Sequence, residues 1–188
     1  MKSSKRALTV LAEGFEDIEA IAAIDVLTRA GVTVTVAALA AGPVKSAYGI
    51  TLLPETVVSE STSLYDAVIF PGGRKNAEML AADKRVLAVA RRHCESGKLV
   101  AAICAAPSHV LAEGAGILIG KRATGDPAFN DRLAAAGVMV KNELVTVDGN
   151  VITGMGPGAA MLFALALTEY LVGKELADSY AQKWQIKR

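Results

Sequence analysis

The chain has 188 residues, with 20 lysines and arginines against 19 aspartates and glutamates, and 52% of it is hydrophobic. That length suits one domain, residues 1–188, with a core large enough to need no staples, and the composition excludes a disordered chain or a charged coil. Balanced charge and 5% aromatics leave no electrostatic or base-stacking case for nucleic acid or an anionic membrane as partner.

Met1 to Arg6 is basic, and Arg6 to Ala12 reads as a buried strand. The apolar run ends at once in Glu13, Glu16 and Asp17, too short and too acidic for a signal peptide. Glu16 to Ala30 has a helical pattern, with Ile18, Ile21, Ala22, Val26 and Leu27 at apolar positions and Gly31 as its stop. Val32 to Leu39 is a β-branched strand, and Gly42-Pro43 and Tyr48-Gly49 mark turns of a short hairpin region ending at Pro54. Ala67 to Phe70 is a strand closed by Pro71-Gly72-Gly73. Ala77 to Cys94 reads as one long helix, ended by Gly97, and Leu99 to Ile103 as a further strand.

Pro107 to Ala112 begins the next helix, and Ala128 to Ala136 holds another. Residues 138–140, 144–146 and 151–153 look like strands. Gly156-Pro157-Gly158 opens a helix to Val172, and Gly173 separates it from a last amphipathic helix. The apolar stretch Ala159 to Leu167 falls well short of the roughly 18 residues of a membrane span. Short strands, apolar on both faces, alternate with helices, which predicts an α/β fold: a mostly parallel sheet covered on both faces by helices. Sites in such sheets lie beyond the carboxyl ends of the strands.

Of the two cysteines, Cys94 sits within a helix beside His93 and is read as structural. Their number and spacing suggest neither a disulfide framework nor a zinc site, so no metal is expected and a reducing, cytoplasmic compartment is the natural setting. Cys104 follows the strand Leu99–Ile103 directly, with Ala102, Ala105 and Ala106 around it and Pro107 starting a helix. A strand that breaks sharply into a helix exposes its turn residue and needs small neighbours. That is the geometry of a nucleophile elbow, with Cys in place of Ser. A helix N-terminus would lower the thiol's pKa. A buried structural cysteine is the plainer reading of the segment alone.

A cysteine hydrolase needs a histidine base. His93 and His109 are poor candidates; His109 lies five residues beyond Cys104 on the same helix and is read, like His93, as a surface or packing residue. Glu16 and Asp17 suit the first helical turn as acids complementing the dipole. Glu19, between apolar Ile18 and Ile21, reaches the sulfur if it faces inward; a solvated helix glutamate is the plainer reading of the residue alone. Facing inward, it is expected to stay protonated and to donate a hydrogen bond to a thiolate. Gly72 and Gly73 let backbone N–H groups approach an oxyanion. No nucleotide fingerprint occurs in the chain.

Together Lys5-Arg6-Ala7-Leu8, Glu16 to Glu19, Phe70-Pro71-Gly72-Gly73, Ala101 to Pro107 and Gly156-Pro157-Gly158 resemble the ThiJ/PfpI superfamily, within it the branch of the Parkinson-disease protein deglycase and its bacterial relatives. The resemblance covers essentially the whole chain. It implies a flavodoxin-like sheet, a homodimer, Cys104 as a nucleophile easily oxidised to the sulfinate, and Glu19 as the protonated carboxyl beside it. It implies N–H groups of Gly72, Gly73 and Ala105 around an anion pocket. It also implies cofactor-free conversion of methylglyoxal-type α-oxoaldehydes or repair of their early glycation adducts, with a redox-sensing chaperone or stress-response role as the alternative.

Two departures matter. The protease-like branch carries histidine directly after its cysteine; Ala105 stands here, so peptidase activity is not expected. Human-type members carry a histidine before a proline near the pocket, where this chain has Asp126 before Pro127. An acid there alters proton transfer; bacterial relatives lack that histidine too.

Overall fold

In a computed structural model, residues 5–59 and 61–187 are described; Met1 to Ser4, the start of the basic N-terminal stretch, lie outside them. In chain order the elements are β1 (Arg6–Leu11), α1 (Asp17–Arg29), β2 (Thr33–Ala38), β3 (Val44–Lys45), β4 (Thr51–Leu52), β5 (Thr56–Val57) and β6 (Ala67–Phe70). Then follow α2 (Arg74–Ala82), α3 (Lys84–Glu95), β7 (Leu99–Ile103), a wide helical segment over Pro107–Gly114, and β8 (Arg122–Ala123). The chain continues with α4 (Asn130–Ala135), β9 (Met139–Val140), β10 (Val145–Asp148), β11 (Val151–Gly154), α5 (Ala160–Leu171) and α6 (Lys174–Lys183).

A seven-stranded sheet runs in the order β10-β11-β7-β6-β1-β2-β5. Only β10 is antiparallel to its neighbour; the other pairs are parallel. Two ribbons, β3 with β4 and β8 with β9, stand apart from it. Successive strand side chains point to opposite faces, and the core divides accordingly. Leu8, Val10, Val68, Phe70, Val100 and Ala102 pack with α2, α3 and the 107–114 segment on one face. Ala7, Ile69, Leu99, Ala101 and Ile103 pack with α1 and α5 on the other. Both faces are dry, which explains the continuous apolar runs in the sequence.

The expected single helix from Ala77 to Cys94 is two helices. Asp83 leaves helical geometry, with φ −95° and ψ 112°, to end α2 and cap α3, its side chain accepting from Arg85 N at 2.9 Å. The capping carboxylate favours the break over an unbroken helix, and neither glycine nor proline marks it. α2 also starts earlier than expected, at Arg74, directly after the glycine pair.

Candidate active site

The carboxyl ends of β1, β6 and β7 converge on Cys104. Its φ is +64°, a left-handed conformation that disfavours an L-residue by roughly 1–2 kcal/mol. Two backbone bonds hold it there: Cys104 N donates to Gly154 O at 3.0 Å, and Asp126 N donates to Cys104 O at 2.8 Å. Ala105 and Ala106 are buried behind it, and Pro107 takes the first helical position. The small neighbours are a requirement of the turn. A Cβ added at Gly72 would stand 2.5 Å from both Cys104 Cβ and Glu19 Oε2, so only glycine fits.

Glu16 caps α1 by accepting from Glu19 N at 2.8 Å, which sets the first turn so that Glu19 points into the sheet top. Glu19 is 1% exposed. Its Oε2 accepts from Gly72 N at 2.7 Å, while Oε1 has no partner among the described residues. Burial pushes the Glu19 carboxyl up to about 7, against the pull of the Gly72 N–H and with help from the charges of Glu16 and Asp126.

The same pocket pushes the Cys104 thiol upward, by burial first and by the Glu19 charge second, while the Gly73 N–H on the sulfur pulls it down. The expectation of a thiol lowered by its helix terminus is therefore corrected: the two acids are linked. Two negative charges are unfavourable in this pocket, so the pair resists losing its last proton. When that proton sits on Glu19, the charge opposing the sulfur is gone and a donor replaces it.

Cys104, Glu19, Gly72, Gly73, Ala105 and Asp126 lie at this spot, though not each in its expected role. Gly73 directs its N–H at the sulfur. The Gly72 N–H is occupied by Glu19 and anchors that carboxyl rather than facing an oxyanion. Ala105 lies buried directly after the cysteine. Asp126 reaches the sulfur's edge, with Oδ2 at 3.9 Å from Sγ, and accepts from Ala128 N through Oδ1. His93 and His109 are buried packing residues, not surface ones. His93 accepts from Tyr65 N at 3.1 Å, and the His109 ring lies 2.9 Å from Ala105 O and 2.8 Å from an Arg132 nitrogen. Among the described residues no cluster of His, Cys, Asp and Glu is arranged to hold a metal ion.

Two residues whose part in the site sequence reasoning did not foresee, Asn76 and Asp17, shape it. Asn76 accepts from Ala12 N at 2.6 Å and donates to Pro71 O and Gly72 O, tying the glycine turn to the end of β1. Asp17, read above as a simple first-turn acid, binds Ser46 Oγ at 2.6 Å and accepts from Tyr48 N at 3.1 Å. It thereby fixes the loop joining β3 to β4. A cleft of about 680 Å³ above the sulfur is lined by this loop, by Gly73 and Arg74, and by Cys104, Asp126 and Pro157.

A family model described as the DJ-1/PfpI family matches residues 5–170. The chain is 41% identical over 181 residues to protein dj-1beta of Drosophila melanogaster, covering 95% of this chain and 96% of that protein. The crystal structure of Drosophila DJ-1beta is similar with a TM-score of 0.91 at 38% identity, covering 98% of this chain and 100% of that one. The glutathione-independent glyoxalase DJR-1.2 of Caenorhabditis elegans is 34% identical over 181 residues, 95% of each chain. Protein DJ-1 homolog A of Arabidopsis thaliana is 38% identical over 93% of this chain, which spans only 45% of that protein's length. The chain belongs to the DJ-1/PfpI family, and its mostly parallel sheet with flanking helices matches DJ-1 structures.

Proposed function

From this family membership and the pocket's geometry, we propose that the protein converts small α-oxoaldehydes such as methylglyoxal to 2-hydroxy acids, or acts on their early adducts, without a cofactor. The observation that carries the reading is a cysteine in a left-handed turn, with a buried carboxyl whose pKa is raised to about 7 beside it and a backbone N–H on its sulfur. A carboxyl balanced near neutrality serves as base and then acid in one cycle. The glyoxalase name of the Caenorhabditis elegans relative supports the same chemistry.

In this reading Glu19 takes the thiol proton as the sulfur adds to the aldehyde carbon, giving a hemithioacetal. The N–H groups of Gly73 and Ala105 hold the developing oxyanion. Glu19 then moves a proton from the former aldehyde carbon to the ketone carbon. The first carbon is oxidised to a thioester while the second is reduced to an alcohol. Water cleaves the thioester, releasing lactate and the thiol, so the sum is methylglyoxal plus water to lactate with no external oxidant or reductant. Lactate formation is measured for wild type, Cys104→Ser and Glu19→Gln; full activity in Cys104→Ser ends the reading.

A second reading, a redox sensor or chaperone, is favoured by the unpartnered Oε1 of Glu19, which suits an oxygen of a sulfinate at Cys104. Intact mass after graded peroxide tests it; oxidation of Cys94 ahead of Cys104 counts against it. A homodimer is proposed from the exposed apolar side chains Ile18, Ile50 and Leu53, and sedimentation at micromolar concentration checks it. Two free cysteines suit a reducing compartment, the basis for proposing a cytoplasmic location.

A further inference from the structure

The cleft over Cys104 is far larger than the aldehyde it is proposed to serve. Methylglyoxal has five heavy atoms and occupies on the order of 100 Å³, judged from the roughly 30 Å³ share of a water molecule in the liquid. The cleft measures about 680 Å³, the size of sites that take larger organic ligands. Most of it lies beyond the reach of a three-carbon substrate.

The wall of that extra space is held by a dense set of hydrogen bonds. Ser46 Oγ donates to Asp17 Oδ1 at 2.6 Å and accepts from Gly49 N at 3.0 Å and Ile50 N at 2.8 Å. Asp17 Oδ2 accepts from Tyr48 N at 3.1 Å, and Ala47 N donates to Phe15 O at 2.8 Å. Asp17 and Ser46 are themselves buried, so a carboxylate and a hydroxyl are withdrawn from water to hold five residues of loop. At the tip of this loop Tyr48 lines the same cleft as Cys104 and is 80% exposed. A large ring at the open side of the cleft on a fixed backbone is a preorganised face: it gains contact area on binding and loses little freedom.

Resting on the proposed function, the geometry points to Tyr48 as a specificity-determining residue. Its ring stacks on a planar aromatic group carried by the α-oxoaldehyde, so aryl-substituted oxoaldehydes are a substrate class of this site. The aldehyde carbon meets Cys104 while the aryl group occupies the outer cleft against Tyr48.

The test compares phenylglyoxal with methylglyoxal as substrates of the full chain. The ratio of their kcat/KM values is expected to fall about fivefold to tenfold in Tyr48→Ala, mainly through KM for phenylglyoxal. It should stay within about twofold of wild type in Tyr48→Phe, which keeps the ring. An unchanged ratio in Tyr48→Ala overturns the inference, and an unchanged ratio with altered sedimentation assigns Tyr48 to subunit contact instead. A binding measurement keeps this separate from the chemistry. In Cys104→Ala protein, mandelate should bind more tightly than lactate, and Tyr48→Ala should shrink that preference by a similar factor. If wild type turns over neither aldehyde, the proposed function fails, while equal binding of mandelate and lactate removes the aromatic platform.

Discussion

The two cysteines of this chain lie ten residues apart and meet opposite fates. Cys94 sits near the end of α3 in ordinary helical backbone, its carbonyl accepting from Asn150 Nδ2 at 2.9 Å, its side chain packed against the core. Cys104 sits at φ +64° with a carboxyl, an N–H and a cleft arranged around its sulfur. Residue type is the same and both are half-buried. The difference lies in what the backbone and three distant segments bring to the thiol, so reactivity here is a property of the turn and not of cysteine.

The widest separation between the two is expected in activity. Cys104→Ser should reduce lactate formation by at least about a thousandfold, as loss of a nucleophile does, whereas Cys94→Ser should stay within about twofold of wild type. Equal losses in a methylglyoxal assay would erase the contrast. Next, Glu19→Gln should lower kcat by about a hundredfold to ten-thousandfold. It should also remove the limb of the pH–rate profile near pH 7, because that limb belongs to the Glu19 carboxyl.

Stability carries a signature of the same carboxyl. Its pKa rises from 4.5 to about 7 on folding, so its contribution is full below pH 4.5 and is lost as pH rises through 7. The size is on the order of 3 kcal/mol. Wild type should therefore melt several degrees lower at pH 8 than at pH 5 through this group, and Glu19→Gln should lack that component in a thermal melt series. Gly72→Ala presses a methyl group onto Cys104 and Glu19 and should cost about 1–3 kcal/mol by denaturant titration, with activity falling alongside. The smallest effect lies on the Cys94 side. Asp83→Ala removes the cap of α3 and should cost about 1 kcal/mol, with lactate formation unaltered.

The elbow was legible because its constraints are local. A strand of five apolar residues, three small neighbours and a proline announce a sharp strand-to-helix turn at Cys104. Glu19 was harder to read, since its spacing on α1 fits a solvated face equally well; only the resemblance singled it out. The contacts that Asn76 and Asp17 make were not legible at all. Their partners lie 64 and 29 residues away, at Ala12 and Ser46, and nothing near them in sequence records those meetings. The upward direction of the Cys104 shift escaped for the same reason. It depends on how much water the folded pocket excludes, and no residue pattern carries that quantity. The break at Asp83 was available as a capping signal but was outweighed by the helical pattern on both sides.

The unfavourable backbone of Cys104 is gripped from segments that leave the ribosome after it does. Its N–H waits for Gly154 and its carbonyl for Asp126, 50 and 22 residues downstream. A nascent chain that has released Cys104 but not β11 lacks the Gly154 bond that holds the left-handed turn. The reactive geometry is thus among the last things this chain acquires during synthesis, and a fragment ending before Gly154 would carry the cysteine without its chemistry.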